Sequence, residues 1–210
     1  EGKPSVSVVA RGLDNPRGIA VGRNGWLYVA EAGRGGKGPC IDSPEGGKDC
    51  FGTSAALTVV ASHHRGKGWK QWRAITGLPS LGGEKDGGSA IGLHKLSPAG
   101  HGLVATIGGA FNLDTRKFLG KDARLMGHVV GLYPGARGPV KPIADLNAYE
   151  AAKNPDKGEV DSNPYGILAT PFGAFATDAG GNDPHKVTKN GKVSTVAVFG
   201  DRMVPSPFPP

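Results

Sequence analysis

One stretch of this chain, Asn15-Pro-Arg-Gly-Ile-Ala-Val followed by Gly25-Trp-Leu-Tyr-Val-Ala-Glu-Ala-Gly33, returns later as Asn163-Pro-Tyr-Gly-Ile-Leu-Ala followed by Gly173-Ala-Phe-Ala-Thr-Asp-Ala-Gly180. A degenerate copy lies midway, Gly92-Leu-His-Lys-Leu-Ser-Pro followed by Gly102-Leu-Val-Ala-Thr-Ile-Gly-Gly109. Asn15 and Asn163 stand two units apart, so one unit is about 74 residues. Units that recur in this way cannot bury their apolar faces alone and must pack on one another.

Within a unit, short apolar runs alternate with tight turns such as Arg23-Asn24-Gly25 and Pro98-Ala99-Gly100, the pattern of antiparallel hairpins. Two further strands follow each hairpin: Ala55–Ala61 and Trp69–Thr76, then His128–Tyr133 and Val140–Ala144, then His185–Thr188 and Lys192–Phe199. Four strands per repeat predict an all-β fold, a β-propeller with three four-stranded blades. The usual blade is shorter, so the surplus is assigned to loops at 33–52, 82–89, 109–122 and 154–162. Blade 1 is expected at 14–81, blade 2 at 82–145 and blade 3 at 146–204, with a Pro-rich end at 205–210. Residues 5–13 resemble the fourth-strand segment 72–78 and are expected to be an outer strand that closes the ring. The one helix expected is Asp145–Lys153, capped by Asp145 and stopped by Asn154-Pro155. Three blades and an orphan strand leave two open apolar faces, which mark an interface.

Composition narrows the classes. Gly (36) and Pro (17) make up about a quarter of the 210 residues, which the repeat explains as turn chemistry rather than disorder. No apolar stretch reaches the roughly 20 residues of a membrane-spanning helix. Lys and Arg exceed Asp and Glu by 25 to 18, giving a net charge of +7. The basic residues stand singly (Arg34, Lys37, Lys67, Lys70, Lys121, Lys157), so a nucleic-acid partner is not expected. Cys40 and Cys50 have no close Cys or His neighbours for a metal site, and are read as a loop-closing disulfide that implies an oxidising, secreted setting.

The segments around Asn15, Leu27–Gly33 and Asp161-Ser-Asn-Pro-Tyr-Gly166 resemble NHL-like propellers. With Glu31–Cys40, Ile75–Ser80, Thr177–Asn182 and Val193–Phe199 they are similar to the bacterial ScyD/ScyE family, first associated with scytonemin biosynthesis clusters. The resemblance runs along almost the whole chain. It implies an exported propeller of about six blades, of which these 210 residues would be the N-terminal half. The family supplies a fold more than a chemistry, because most of its members have no established activity. The second unit departs from the pattern, lacking both Asn-Pro-x-Gly and Asp-Ala-Gly.

Catalytic signatures are absent: no Gly-x-Ser-x-Gly, no His-Glu-x-x-His, no phosphate loop. Aligning the units gives Arg17, His94 and Tyr165 as equivalent residues on the innermost strands, expected to meet at the mouth of a central channel. An Arg to hold an anion, a His to move protons and a Tyr to donate a hydrogen bond could serve a lactonase, hydrolase or lyase; they also suit plain hydrogen-bonded packing. Glu31, Asp178 and Asn182 are the oxygen donors at strand ends that could hold Ca²⁺, although the second unit offers only Ile107 at the equivalent place and turns use the same residue types. No other cofactor is expected. His63-His64 is read as a loop feature. The leading functional expectation is an exported binding or scaffold propeller with a small-molecule ligand at the channel. The alternatives are a channel-mouth enzyme and a self-assembling extracellular structural protein. The open faces would pack on the missing half or on another copy.

Overall fold

A computed structural model describes residues 5–43, 46–62 and 68–200. The chain forms three antiparallel sheets in sequence, each a meander. The first holds β1 (Pro16–Val21), β2 (Leu27–Glu31), β4 (Lys48–Ser62) and β5 (Trp69–Gly83), with the short β3 (Cys40–Asp42) paired to the near end of β4. The second runs β6 (Leu93–Ala99), β7 (Gly102–Ile107), β8 (His128–Leu132), β9 (Val140–Asp145), and the third β10 (Pro164–Thr170), β11 (Gly173–Asp178), β12 (Asp183–Thr188), β13 (Val193–Thr195). The expected four-strand unit is present three times, and among the described residues no sheet closes on itself.

The hairpin turns follow their residues. Gly25 (φ 74°) and Gly191 (φ 82°) supply the left-handed position after an Asn in the β1–β2 and β12–β13 turns. Helix α2 (Leu146–Lys153) lies where the capping pattern puts it: the Asp145 carboxylate accepts from Ala148 N at 2.9 Å, and Asn154 ends the helix at φ 39°. Two of the expected loops carry structure. Residues 33–52 contain β3 and the first part of β4, and the Cys40–Cys50 disulfide links directly paired residues of those strands. Gly35 and Gly52 allow this arm, because a side chain on either would collide with backbone, Cys50 O for one and Gly35 O for the other. Residues 109–122 contain α1 (Leu113–Leu119), capped by Asn112, and the start of a 3-10 helix (Lys121–Leu125). Residues 5–13 adopt no strand pairing; Arg11 instead exchanges two backbone hydrogen bonds with the Gln71 side chain.

Two apolar layers hold the sheets in a row. Leu57, Leu81, Leu93, Ile107 and Leu132 belong to a core shared by the first and second sheets. Val129, Leu146, Ala176 and Val187 belong to another between the second and third. The middle sheet is therefore covered on both sides, and every residue of β8 is buried. The third sheet is covered on one side only, and β11 and β12 alternate buried and less buried residues with period two. The first strands face one another: β6 touches both β1 and β10.

Candidate functional site

Each first strand pairs with its neighbour through a β-bulge at the same place in the repeat. The register skips Arg17 in β1, His94 and Lys95 in β6, and Tyr165 and Gly166 in β10. A bulge releases its residues from the ladder and re-aims their side chains. It also strips the local carbonyls of their ladder partners, and the middle sheet supplies replacements. Lys95 Nζ donates to Arg17 O at 2.7 Å, His94 Nδ1 to Pro164 O at 3.1 Å, and Thr106 Oγ1 to Tyr165 O at 2.6 Å.

Arg17, His94 and Tyr165 line a single cavity of about 210 Å³, together with Asp49, Ser89 and Asn163 among others. The His94 and Tyr165 rings lie 5.0 Å apart, and Lys95 Nζ sits 5.1 Å from the centre of the Tyr165 ring. The Arg17 guanidinium donates to Ala90 O at 2.9 Å. His94 is 3 % exposed. Because Pro164 O can only accept, Nδ1 carries the proton and Nε2 keeps its lone pair. Burial, aided by the Arg17 and Lys95 charges, pulls the imidazole down to about 4 against the Pro164 hydrogen bond, so the ring is neutral near pH 7. Arg17 in the lining and Lys95 behind it, bonded to Arg17 O, outnumber the one carboxylate, Asp49, beside a neutral imidazole, so the surroundings favour an anion.

No protein-family model, curated protein or solved structure matches this chain. Its chemistry is therefore read from these side chains alone.

Glu31 and Asp178, taken in the sequence as metal candidates, are placed as straps. Glu31 is fully buried, takes two hydrogen bonds from Arg73 (2.7 and 3.1 Å), and accepts from Asp14 N and Thr58 Oγ1. The Arg73 and Asp14 bonds and that of Thr58 outweigh burial and hold its carboxyl below the usual range. Asp178 plays the equivalent part in the third sheet, accepting from Ser162 Oγ, Asn163 N, Gly180 N and Gly181 N. Both acids brace the segment that enters a first strand, and in the second sheet the apolar Ile107 stands instead. Asn182 is an exposed turn residue at φ 50° whose Nδ2 donates to Asp156. Among the described residues, the only set of three or more His, Cys, Asp or Glu ligand atoms gathered within 4.8 Å belongs to Cys40, Cys50 and Glu84, and both sulfurs are committed to the disulfide. His63 and His64 lie outside the described residues.

Sequence alignment misses Asp49 in the lining and Lys95 just behind it. Matching one residue per unit picks out His94, whereas the bulge in β6 spans two. Asp49 arrives from the disulfide-linked arm, which belongs to no repeat. A larger cleft, about 910 Å³, opens at the other end between the second and third sheets, lined by turn residues such as Pro98, Tyr133, Thr170 and Lys189. Its lining holds Lys and Arg but no carboxylate and no imidazole, so the bulge cavity is the better candidate.

Proposed function

We propose that the chain is part of an exported, ScyD/ScyE-like β-propeller that binds a small anionic ligand where its innermost strands meet. The three sheets are consecutive blades in this reading, and the bulge cavity is the channel mouth. Support for the blades comes from the repeated four-strand meander, the packing of first strand on first strand and the coincidence of the three bulges. Export is supported by the Cys40–Cys50 disulfide, and no helix among the described residues is long and apolar enough to cross a membrane.

The observation that carries the binding reading is the convergence of the Arg17 guanidinium, His94 and Tyr165 on one cavity. His94, neutral near pH 7 and tied through Nδ1 to Pro164 O, adds no charge of its own, and its Nε2 can accept from a ligand hydroxyl such as that of a protonated phosphate. The cavity is smaller than the roughly 300–1,000 Å³ of drug-sized sites, which suits a carboxylate or phosphate group. Calorimetric titration with acetate, malonate and inorganic phosphate tests this. One of them should bind, more weakly at higher salt, and Arg17→Ala should lower its affinity about tenfold or more, the scale of a lost charged hydrogen bond. Failure of all three to bind removes the proposal. Turnover of a lactone or ester panel that disappears in His94→Ala would replace binding by catalysis.

The uncovered faces of the first and third sheets are the second element of the reading. Further blades, or another copy of the chain, pack there.

A further inference from the structure

Glu150, on the face of α2 turned to the third sheet, is 1 % exposed, and neither of its carboxylate oxygens has a hydrogen-bond partner among the described residues. A buried carboxylate left this way is costly unless something positive meets it. Asp183, 2 % exposed, aims an oxygen at the same place: a Cβ on Gly181 would stand 3.1 Å from Glu150 Oε2 and 3.3 Å from Asp183 Oδ1. The missing side chain of Gly181 thus leaves a cradle between two acids. Asn154, at the end of α2, has a buried Oδ1 with no partner, while its Nδ2 donates to Gly158 O. Asp156 reaches the same turn, its Oδ2 accepting from Asn182 Nδ2 at 3.3 Å. Asp161 and Asp178 lie close by and add negative charge.

Among the described residues no Lys or Arg serves these acids as counter-ion: in a chain of net charge +7, none forms an ion pair with Glu150, Asp156, Asp161, Asp178 or Asp183. His185 Nε2 lies 2.9 Å from Asp183 Oδ1, but burial holds that imidazole below its ordinary value and so neutral near pH 7. Burial first, and then Asp156, Asp183, Asp178 and Asp161, push the Glu150 carboxyl up to about 7. Burial and then Asp178 do the same to Asp183, also to about 7.

We propose that the junction of the α2 C-terminus with the β11–β12 turn binds one Ca²⁺, held by Glu150 and Asp183 with the oxygens of Asn154 and Asp156. Carboxylate and amide oxygens on a helix end and two loops suit the loose six-to-eight-fold oxygen shell of Ca²⁺ better than the strict octahedron of Mg²⁺. The acids do not stand within 4.8 Å of one another as a set of three, so the ion draws Glu150 and the 154–161 segment toward Gly181. The site is separate from the bulge cavity and independent of the function proposed for it.

The test is Ca²⁺ titration of the full chain after EGTA treatment, read by calorimetry and by thermal unfolding. One Ca²⁺ should bind per chain and raise Tm by roughly 5 °C at about a hundredfold excess over Kd. Glu150→Gln and Asp183→Asn should each weaken binding at least tenfold, whereas Asp114→Asn, exposed on α1, should leave it unchanged. Amide exchange across 154–161 should slow on binding. Glu150→Gln removes an unpaired buried charge, so its Ca²⁺-free form should unfold no lower than Ca²⁺-free wild type, which separates loss of the ion from loss of the fold. Identical Tm values for wild type in Ca²⁺ and EGTA, or a Ca²⁺ increment that survives Glu150→Gln, overturns the site.

Discussion

His94 shows how one side chain can be fixed by its neighbours rather than by its type. Its position was readable from repeat alignment, but its protonation follows from burial, the Pro164 carbonyl and two nearby cations. A folded-state value near 4 against an ordinary value of 6.5 means that the unfolded chain takes up a proton first as pH falls. Stability contributed by the neutral ring is therefore complete above about pH 6.5 and is lost progressively down to about 4. Buried His128 and His185 shift the same way and share the slope, so the measurement is a difference. Urea unfolding from pH 7 to 4 should show a smaller loss of stability in His94→Gln than in wild type. Equal slopes would mean that the imbedded ring already titrates normally. Glu31 makes the contrasting case: an acid at a strand end looks like a ligand in sequence, yet Arg73, forty-two residues away, claims it. A residue string does not show which distant cation will arrive.

At the scale of elements, strands and the main helix were legible because their signals are local. Asn-Gly turns, period-two patterns and the Asp145 cap act within a few residues. Helix α1 was missed because it is only seven residues long, and its cap, Asn112, sits in a stretch that otherwise reads as loop. The β3–β4 arm is hidden in the sequence because β3 is only three residues long, the surrounding loops are Gly-rich, and the two strands exist only through pairing. Asp145 does more than its sequence position suggests. Besides capping α2 it takes a two-pronged bond from Arg116 of α1, at 2.8 and 2.7 Å, tying the two helices together. Asp145→Ala should therefore cost about 2 kcal/mol in chemical denaturation, above the roughly 1 kcal/mol of an average cap. Asp145→Asn, which keeps the cap and loses the charge, should recover about half. A cost of only about 1 kcal/mol for Ala would show that the Arg116 link adds nothing.

For the whole molecule, repeat-equivalent residues report what is uncovered. Ile19, Leu96 and Ile167 share one register position, and Ala20, Ser97 and Leu168 the next. Ile19 is 63 % exposed in the first sheet while Leu96 is 8 % exposed in the second; Leu168 is 61 % exposed in the third while Ser97 is 8 % exposed. The first sheet thus bares the face that the second and third hide, and the third bares the opposite one. Such complementary faces join head to tail. This 210-residue chain should run above 21.5 kDa in concentration-dependent light scattering. Ile19→Lys and Leu168→Lys should each break up the larger species, and mixing the two variants should restore a dimer, because each keeps the face the other has lost. A wild type that stays monomeric at every concentration would refute this.

The sequence by itself determined the repeat, the strands, the turns, the α2 cap and the three residues that meet at the bulges. All of these depend on local chemistry or on copying of one unit. The tertiary structure decided which carboxylates are spent and which meet no Lys or Arg. It tied Glu31 to Arg73, braced turns with Asp178, and left Glu150 and Asp183 facing one cradle at Gly181. Charge in a protein is settled by what surrounds a group in space, and residues from a helix end and two loops become neighbours only when the sheets stack.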